Sequence, residues 1–164
     1  MDPHLELVSY EPLVLDLADA LRGQGLLMAT AESCTGGLIA AACTAVAGSS
    51  DWFERGFVTY SNQAKTELLG VPEALLQAHG AVSEPVALAM AEGALQRAPV
   101  QRAVAVTGIA GPGGAVPGKR VGTVWLALAQ PGQVQAWLLQ LGGDRAAVRH
   151  ATVLAALQAL RRSV

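Results

Sequence analysis

Apolar and polar positions along this chain switch repeatedly between a helical period and short strand-like runs, and the switches lay out an α/β order. Leu13, Leu17, Ala20 and Leu21 recur at helical spacing, with Asp16, Asp19 and Arg22 on the other side, and Gly23 and Gly25 end that helix. Residues 26–30 are a short apolar run that reads as a buried strand. Residues 35–47 are alanine-rich behind two leading glycines, and read as a helix ending at Gly48, Ser49 and Ser50. Alternation over residues 57–60 marks a second strand. Residues 62–69 turn helical and stop at Gly70, and Pro72 opens another short helix. Ser83 caps a helix through about Arg97. Residues 103–106 are a third strand, which runs into a glycine-rich loop over 108–122. Two further strands, 123–129 and 134–139, are joined as a hairpin by Pro131 and Gly132. Asp144 then caps a final helix with an apolar stripe of Ala151, Leu154, Leu157 and Leu160. The alternation predicts one three-layer α/β/α domain over residues 1–164, with a mixed, mostly parallel sheet and one antiparallel C-terminal hairpin.

Composition narrows the classes. A chain of 164 residues fits one domain, and at that length folding buries roughly 70% of the unfolded surface. Its 52% hydrophobic and 15% charged residues exclude intrinsic disorder. No uninterrupted apolar run approaches the ~18–20 residues that a membrane span needs. The start carries Asp2, His4 and Glu6 and lacks the basic and apolar order of a secretion signal. Net charge is −2, with both signs interleaved, so no basic face points to nucleic acid. Cys34 and Cys43 stand nine positions apart and fall on different faces of a helix, which predicts reduced thiols in a cytoplasmic protein. His4, His79 and His150 are scattered, and no Cys/His pair has the spacing of metal ligands.

Four polar clusters resist that bland picture. TAESCTGG at 30–37 lies where a strand stops and a helix begins. Amides at such a helix start bind anions, and Gly36 and Gly37 let a ligand approach the backbone. Ser33 at the turn is placed like a nucleophile on a strand-to-helix elbow; equally, Ser33 or Thr35 serves as an N-cap. YSNQAK at 60–65 is the second strand-to-helix junction. The chain has only two lysines, Lys65 and Lys119, beside nine arginines. A lysine after a buried strand is either a desolvated base or a solvated helix residue. No histidine is placed to activate a serine, so a hydrolase here would use a Ser–Lys arrangement. The third cluster, TGIAGPGG at 107–114, can cradle a phosphate through its amides, although it matches neither phosphate-loop fingerprint. The fourth, GGDR at 142–145 with Arg149, sets two arginines four apart on one helical face, suited to an anion or simply to water. In an open α/β sheet ligands bind beyond the carboxyl ends of strands, where the first three clusters fall.

The same residues carry a resemblance. TAESCTGGLIA at 30–40, YSNQAK at 60–65, GAVS at 80–83 and TGIAGP at 107–112 resemble, in order and spacing, the CinA C-terminal domain family, which includes stand-alone nicotinamide-nucleotide amidases. The likeness runs from about residue 12 to the C-terminus and is to the single-domain form. Arg120 stands where the family's loop often has proline. The resemblance implies hydrolysis of the carboxamide of nicotinamide mononucleotide to nicotinate mononucleotide and ammonia, in pyridine-nucleotide salvage. It implies Ser33 as nucleophile and Lys65 as base, with Tyr60 alongside. It places Glu32, Thr35, Gly36, Gly37, Asn62, Thr107, Gly108, Ala110, Gly111 and Arg145 around the substrate, Arg145 on its phosphate. Amides near residues 35–37 would hold the oxyanion. The resemblance implies no cofactor, a pyridine mononucleotide as the partner molecule, and a homo-oligomer. Two alternatives are a catalytically silent nucleotide-binding module and a related small-amide hydrolase. Only an enzyme needs Ser33 and Lys65 together.

Overall fold

The computed structural model describes the backbone of residues 3–164 and the side chains of residues 7–164. Asp2 and the side chains of His4 and Glu6, read above for the absence of a leader, lie outside that description. In chain order the elements are α1 (Pro3–Gln24), β1 (Met28–Glu32), α2 (Leu38–Thr44), β2 (Phe53–Val58), α3 (Asn62–Leu69), α4 (Glu73–His79), α5 (Glu84–Arg97), β3 (Arg102–Gly108), β4 (Thr123–Gln130), β5 (Gln133–Gln140) and α6 (Arg145–Arg162). The sheet order is β2-β1-β3-β4-β5. β1 pairs parallel with both β2 and β3, while β4 is antiparallel to β3 and to β5. Four strands therefore point one way and β4 alone runs back. The α/β fold with its late hairpin is the expected one. No described helix is long and apolar enough to cross a membrane.

The two faces of the sheet carry different residues. Met28, Val104, Val106, Val124, Leu126 and Leu128 pack toward α1, α2 and α6. Ala31, Ala103, Ala105, Ala127 and Ala129 pack toward α5, which answers with Ala87, Ala91 and Ala94. Small residues on both sides let α5 sit close to the sheet, and bulky ones fill the wider layer opposite.

Element ends differ from the sequence reading for local reasons. α1 begins far upstream and passes through Pro12, because Tyr10 continues the buried stripe of Val14, Leu17, Ala18 and Leu21; Leu13 and Ala20 only flank it. The amide of Leu26 bonds back to the Leu21 carbonyl to close that helix, so β1 starts two residues later than expected. Residues 35–37 are a turn, with Gly36 and Gly37 at φ 61° and 99°, so α2 is shorter at its start. β2 begins four residues early. It is an edge strand, and its Glu54 and Arg55 face water and pair with each other, which hides it from a hydrophobic pattern.

Close packing of α5 on α3 generates a prediction. A Cβ on Gly93 would come within 2.0 Å of the Leu69 carbonyl oxygen, whereas one on Gly23 of α1 meets nothing within 4 Å. Gly93→Ala is expected to lose roughly 1–3 kcal/mol. Gly23→Ala is expected to gain about 0.4–1 kcal/mol. Urea denaturation of the two variants side by side checks the opposite signs.

Candidate active site

The parallel strands deliver three chain segments to one end of the sheet. The Ser33 amide donates to the Val106 carbonyl at 3.0 Å, and the Thr59 amide donates to the Glu32 carbonyl at 2.8 Å. These bonds extend the β1–β3 and β1–β2 ladders by one step and fix Ser33 and Thr59 as rigidly as the strands themselves. Ser61 caps α3, its hydroxyl accepting from the Ala64 amide at 3.0 Å. From the first turns of α3, Lys65 reaches inward under the strand ends.

Lys65 is 1% exposed. Its Nζ donates to the Thr59 carbonyl at 2.9 Å and lies 3.0 Å from Ser33 Oγ. Among the described residues no carboxylate forms an ion pair with it. Burial therefore pulls its pKa below the ordinary 10.5, with a smaller opposing contribution from the neighbouring Cys34 side chain. Cys34 is buried beside Ser33, and desolvation, with Glu32 adding to it, pushes its thiol up to about 11. Burial pushes Cys43 up as well. Both cysteines are free thiols, uncharged at neutral pH.

A cavity of about 240 Å³ opens beside this pair. Its walls include Ser33, Cys34, Lys65, Tyr60, Asn62, Thr107, Gly108, Ala110 and Arg145. At the mouth, the Arg145 guanidinium donates to the Tyr60 hydroxyl and to the Gly111 carbonyl, each at 2.9 Å. Asp144 caps α6 by accepting from the Ala147 amide at 2.9 Å, which sets Arg145 at the helix start. The Thr107 hydroxyl donates to the Ala81 carbonyl at 2.9 Å and anchors the segment after Gly80. That segment contributes Ala81 and Val82 to the walls. The sequence reading assigned neither residue, although GAVS at 80–83 was among its motifs. A larger groove of about 550 Å³ lies far from this chemistry, between β5 and α6, walled mainly by aliphatic side chains and Trp137.

Five of the residues expected around the substrate stand apart from the cavity. Glu32, Thr35, Gly36, Gly37 and Gly111 are not among the cavity walls. The Gly111 carbonyl is held by Arg145. Glu32 is fully buried, and the amides of Gly37, Ile39 and Ala40 donate to it. The Gly36 amide donates to the Ser33 carbonyl at 3.0 Å. The helix start read as an anion site thus holds the protein's own carboxylate, and the amides of Gly36 and Gly37 are committed. Neither Ser33 nor Thr35 caps α2, because Gly37 holds that position. Arg149 turns inward, donating to the Thr35 carbonyl at 3.0 Å, away from the cavity.

Fold and site together define an α/β domain whose cavity lies beyond the carboxyl ends of parallel strands and sets a serine hydroxyl against a buried lysine. The chain belongs to the CinA C-terminal domain family, whose model matches residues 10–164. It is 52% identical over 145 residues to the Escherichia coli K12 nicotinamide-nucleotide amidohydrolase PncC, covering 88% of each chain. It is 56% identical to a CinA-like protein of Citrifermentans bemidjiense, covering 89% of this chain and 35% of that one. The chain spans about a third of the length of such CinA-like relatives. The crystal structure of a competence/damage-inducible protein from Agrobacterium tumefaciens superposes with a TM-score of 0.89 at 49% identity, covering 92% of each chain.

The buried amine predicts a pH signature in stability. The folded pKa of Lys65 lies below its unfolded value, so between the two the unfolded chain binds more protons and stability rises with pH. The Cys34 thiol works in the opposite sense from about pH 9 upward, but it is common to wild type and a Lys65→Met variant and cancels between them. The wild type is expected to gain stability relative to Lys65→Met as pH rises toward the ordinary lysine value of 10.5, measured by urea denaturation. A constant difference would show a solvated amine.

Proposed function

We propose that this protein hydrolyses the carboxamide of nicotinamide mononucleotide, giving nicotinate mononucleotide and ammonia in pyridine-nucleotide salvage, with Ser33 as nucleophile and Lys65 as general base. The observation that carries the proposal is the 3.0 Å approach of a buried lysine Nζ to Ser33 Oγ at the wall of a cavity. The substrate class is supported by the E. coli relative, a nicotinamide-nucleotide amidohydrolase that this chain matches over 88% of both lengths.

The chemistry is acyl transfer. Neutral Lys65 takes the hydroxyl proton as Ser33 Oγ bonds to the carboxamide carbon. The resulting ammonium returns that proton to the amide nitrogen, the C–N bond breaks, and ammonia leaves. Water then attacks the ester carbon as Lys65 accepts its proton, the ammonium returns that proton to Ser33 Oγ as the ester C–O bond breaks, and the product leaves as a carboxylate, its acid proton going to solvent. Such base catalysis contributes typically 10²–10⁴-fold in rate and works best when the base titrates near the operating pH. Burial moves Lys65 in that direction. The Thr59 carbonyl holds the amine in line with Ser33.

At about 240 Å³ the cavity is smaller than the ~300–1,000 Å³ of sites that enclose a whole drug-sized ligand. It suits the pyridine carboxamide head, flanked by Thr107, Gly108 and Ala110. Ribose and phosphate then extend past Tyr60 and Asn62 to the mouth, where Arg145 offers a bidentate anion partner.

Four expected outcomes follow. Ser33→Ala abolishes ammonia release while the protein stays folded, and Lys65→Arg is nearly as inactive as Lys65→Ala, because arginine supplies no neutral amine. Wild-type kcat/KM rises with pH through a lysine transition below 10.5. Near-normal turnover by a folded Ser33→Ala protein would sink the nucleophile. Arg145→Ala weakens binding of the mononucleotide by roughly tenfold or more and barely affects the riboside, which lacks the phosphate. Calorimetry on a Ser33→Ala background reads the contrast, and equal losses for both ligands remove Arg145 from the phosphate.

A further inference from the structure

Glu32, the last residue of β1, is the only fully buried acid among the described residues, and no cation pairs with it. An unpaired charge in an interior costs several kcal/mol unless donors satisfy it. Here four donors do. Oε2 accepts from the Thr35 hydroxyl at 2.7 Å and from the Gly37 and Ile39 amides at 3.0 Å. Oε1 accepts from the Ala40 amide at 2.8 Å. Three of these are backbone donors around the start of α2, where the helix has no hydrogen-bond partners of its own. The positive end of the helix dipole adds to the attraction.

The geometry of those bonds has a further use. They tie residues 35–40 to residue 32 and close the chain into a tight loop with Ser33 on it. Gly36 and Gly37 make the loop possible by adopting φ values of 61° and 99°. Arg149 braces the same loop from the other side through the Thr35 carbonyl. Ser33 itself is held by the Val106 carbonyl and by the Gly36 amide.

We propose that Glu32 is a positioning residue for the reaction: it fixes the loop that carries Ser33, and so holds Oγ at hydrogen-bond distance from Lys65 Nζ, without touching substrate. The assignment rests on the reading of Ser33 and Lys65 as nucleophile and base. Displacement of a reacting group by about 1 Å can cost 10²-fold in rate, so a loosened loop acts on chemistry before it acts on binding.

The test is Glu32→Gln in the full chain, assayed by ammonia release from nicotinamide mononucleotide. Glutamine keeps the size of the side chain, but whichever way its amide turns, an NH₂ group meets an N–H donor. Expected is a fall in kcat per folded molecule of about tenfold or more, with KM within twofold of wild type. A purely structural role predicts instead that activity falls only in proportion to the folded fraction, read by circular dichroism at the assay temperature. That result, or a kcat within twofold of wild type, overturns the proposal. Should the glutamine variant not fold, Thr35→Val removes only the 2.7 Å bond and is expected to lower kcat several-fold at constant KM; an unchanged kcat overturns the proposal equally. An active Ser33→Ala protein overturns both this assignment and the reading beneath it, whereas inactive Ser33→Ala beside unimpaired Glu32→Gln overturns this assignment alone.

Discussion

An amine buried without an acid to neutralise it is the constraint around which this domain is arranged. Water is excluded from Lys65, so its ammonium form is penalised and its neutral form is favoured by the fold itself. Among the described residues, its hydrogen-bond partners are the Thr59 carbonyl and the Ser33 hydroxyl. A carboxylate in the same place would do the reverse, raising the pKa and leaving a permanently charged lysine. The sheet makes the arrangement reproducible, because both partners are extensions of hydrogen-bond ladders rather than members of free loops.

The helix that carries the amine depends in turn on the difference between the two sheet faces. Alanines on β1, β3 and β4 let α5 approach closely, and Gly93 then lets the end of α3 lie against α5 with its backbone at Leu69 in near contact. Lys65 is one turn upstream of that contact. Valine and leucine on the opposite face hold α6 farther out, where its first residues can reach the cavity mouth. A methyl-scale change on one face is thereby felt at the cavity end of the molecule.

How much of this was legible in the sequence depended on how local each cause is. α3 was readable to the residue, since Gly70 ends it by its own conformation, and the hairpin and the Asp144 cap were equally plain. β2 was half-missed because edge strands do not bury their polar residues, so their pattern is not hydrophobic. The loop over 35–37 was read as helix because nothing in its letters reveals that a carboxylate three residues upstream captures the amides. The pairing of Ser33 with Lys65 was suggested only by scarcity and by family likeness. Their 3.0 Å separation spans 32 positions and is a product of tertiary structure. Ala81 and Val82 escaped notice for a simpler reason: as wall residues they contribute shape and carry no chemistry of their own.

The guanidinium of Arg145 already spends one N–H on Tyr60 and one on Gly111. A guanidinium has five. Three therefore remain for an incoming anion, and none of the existing bonds need break to accept it. Much of the rotamer entropy of a long side chain, up to about 2 kcal/mol for arginine, is surrendered when the domain folds rather than when a ligand arrives. The mouth of the cavity is in this sense pre-organised: the phenol and the loop carbonyl act as a splint that keeps a flexible cation aimed, so that capture of a charged group begins from an ordered receptor.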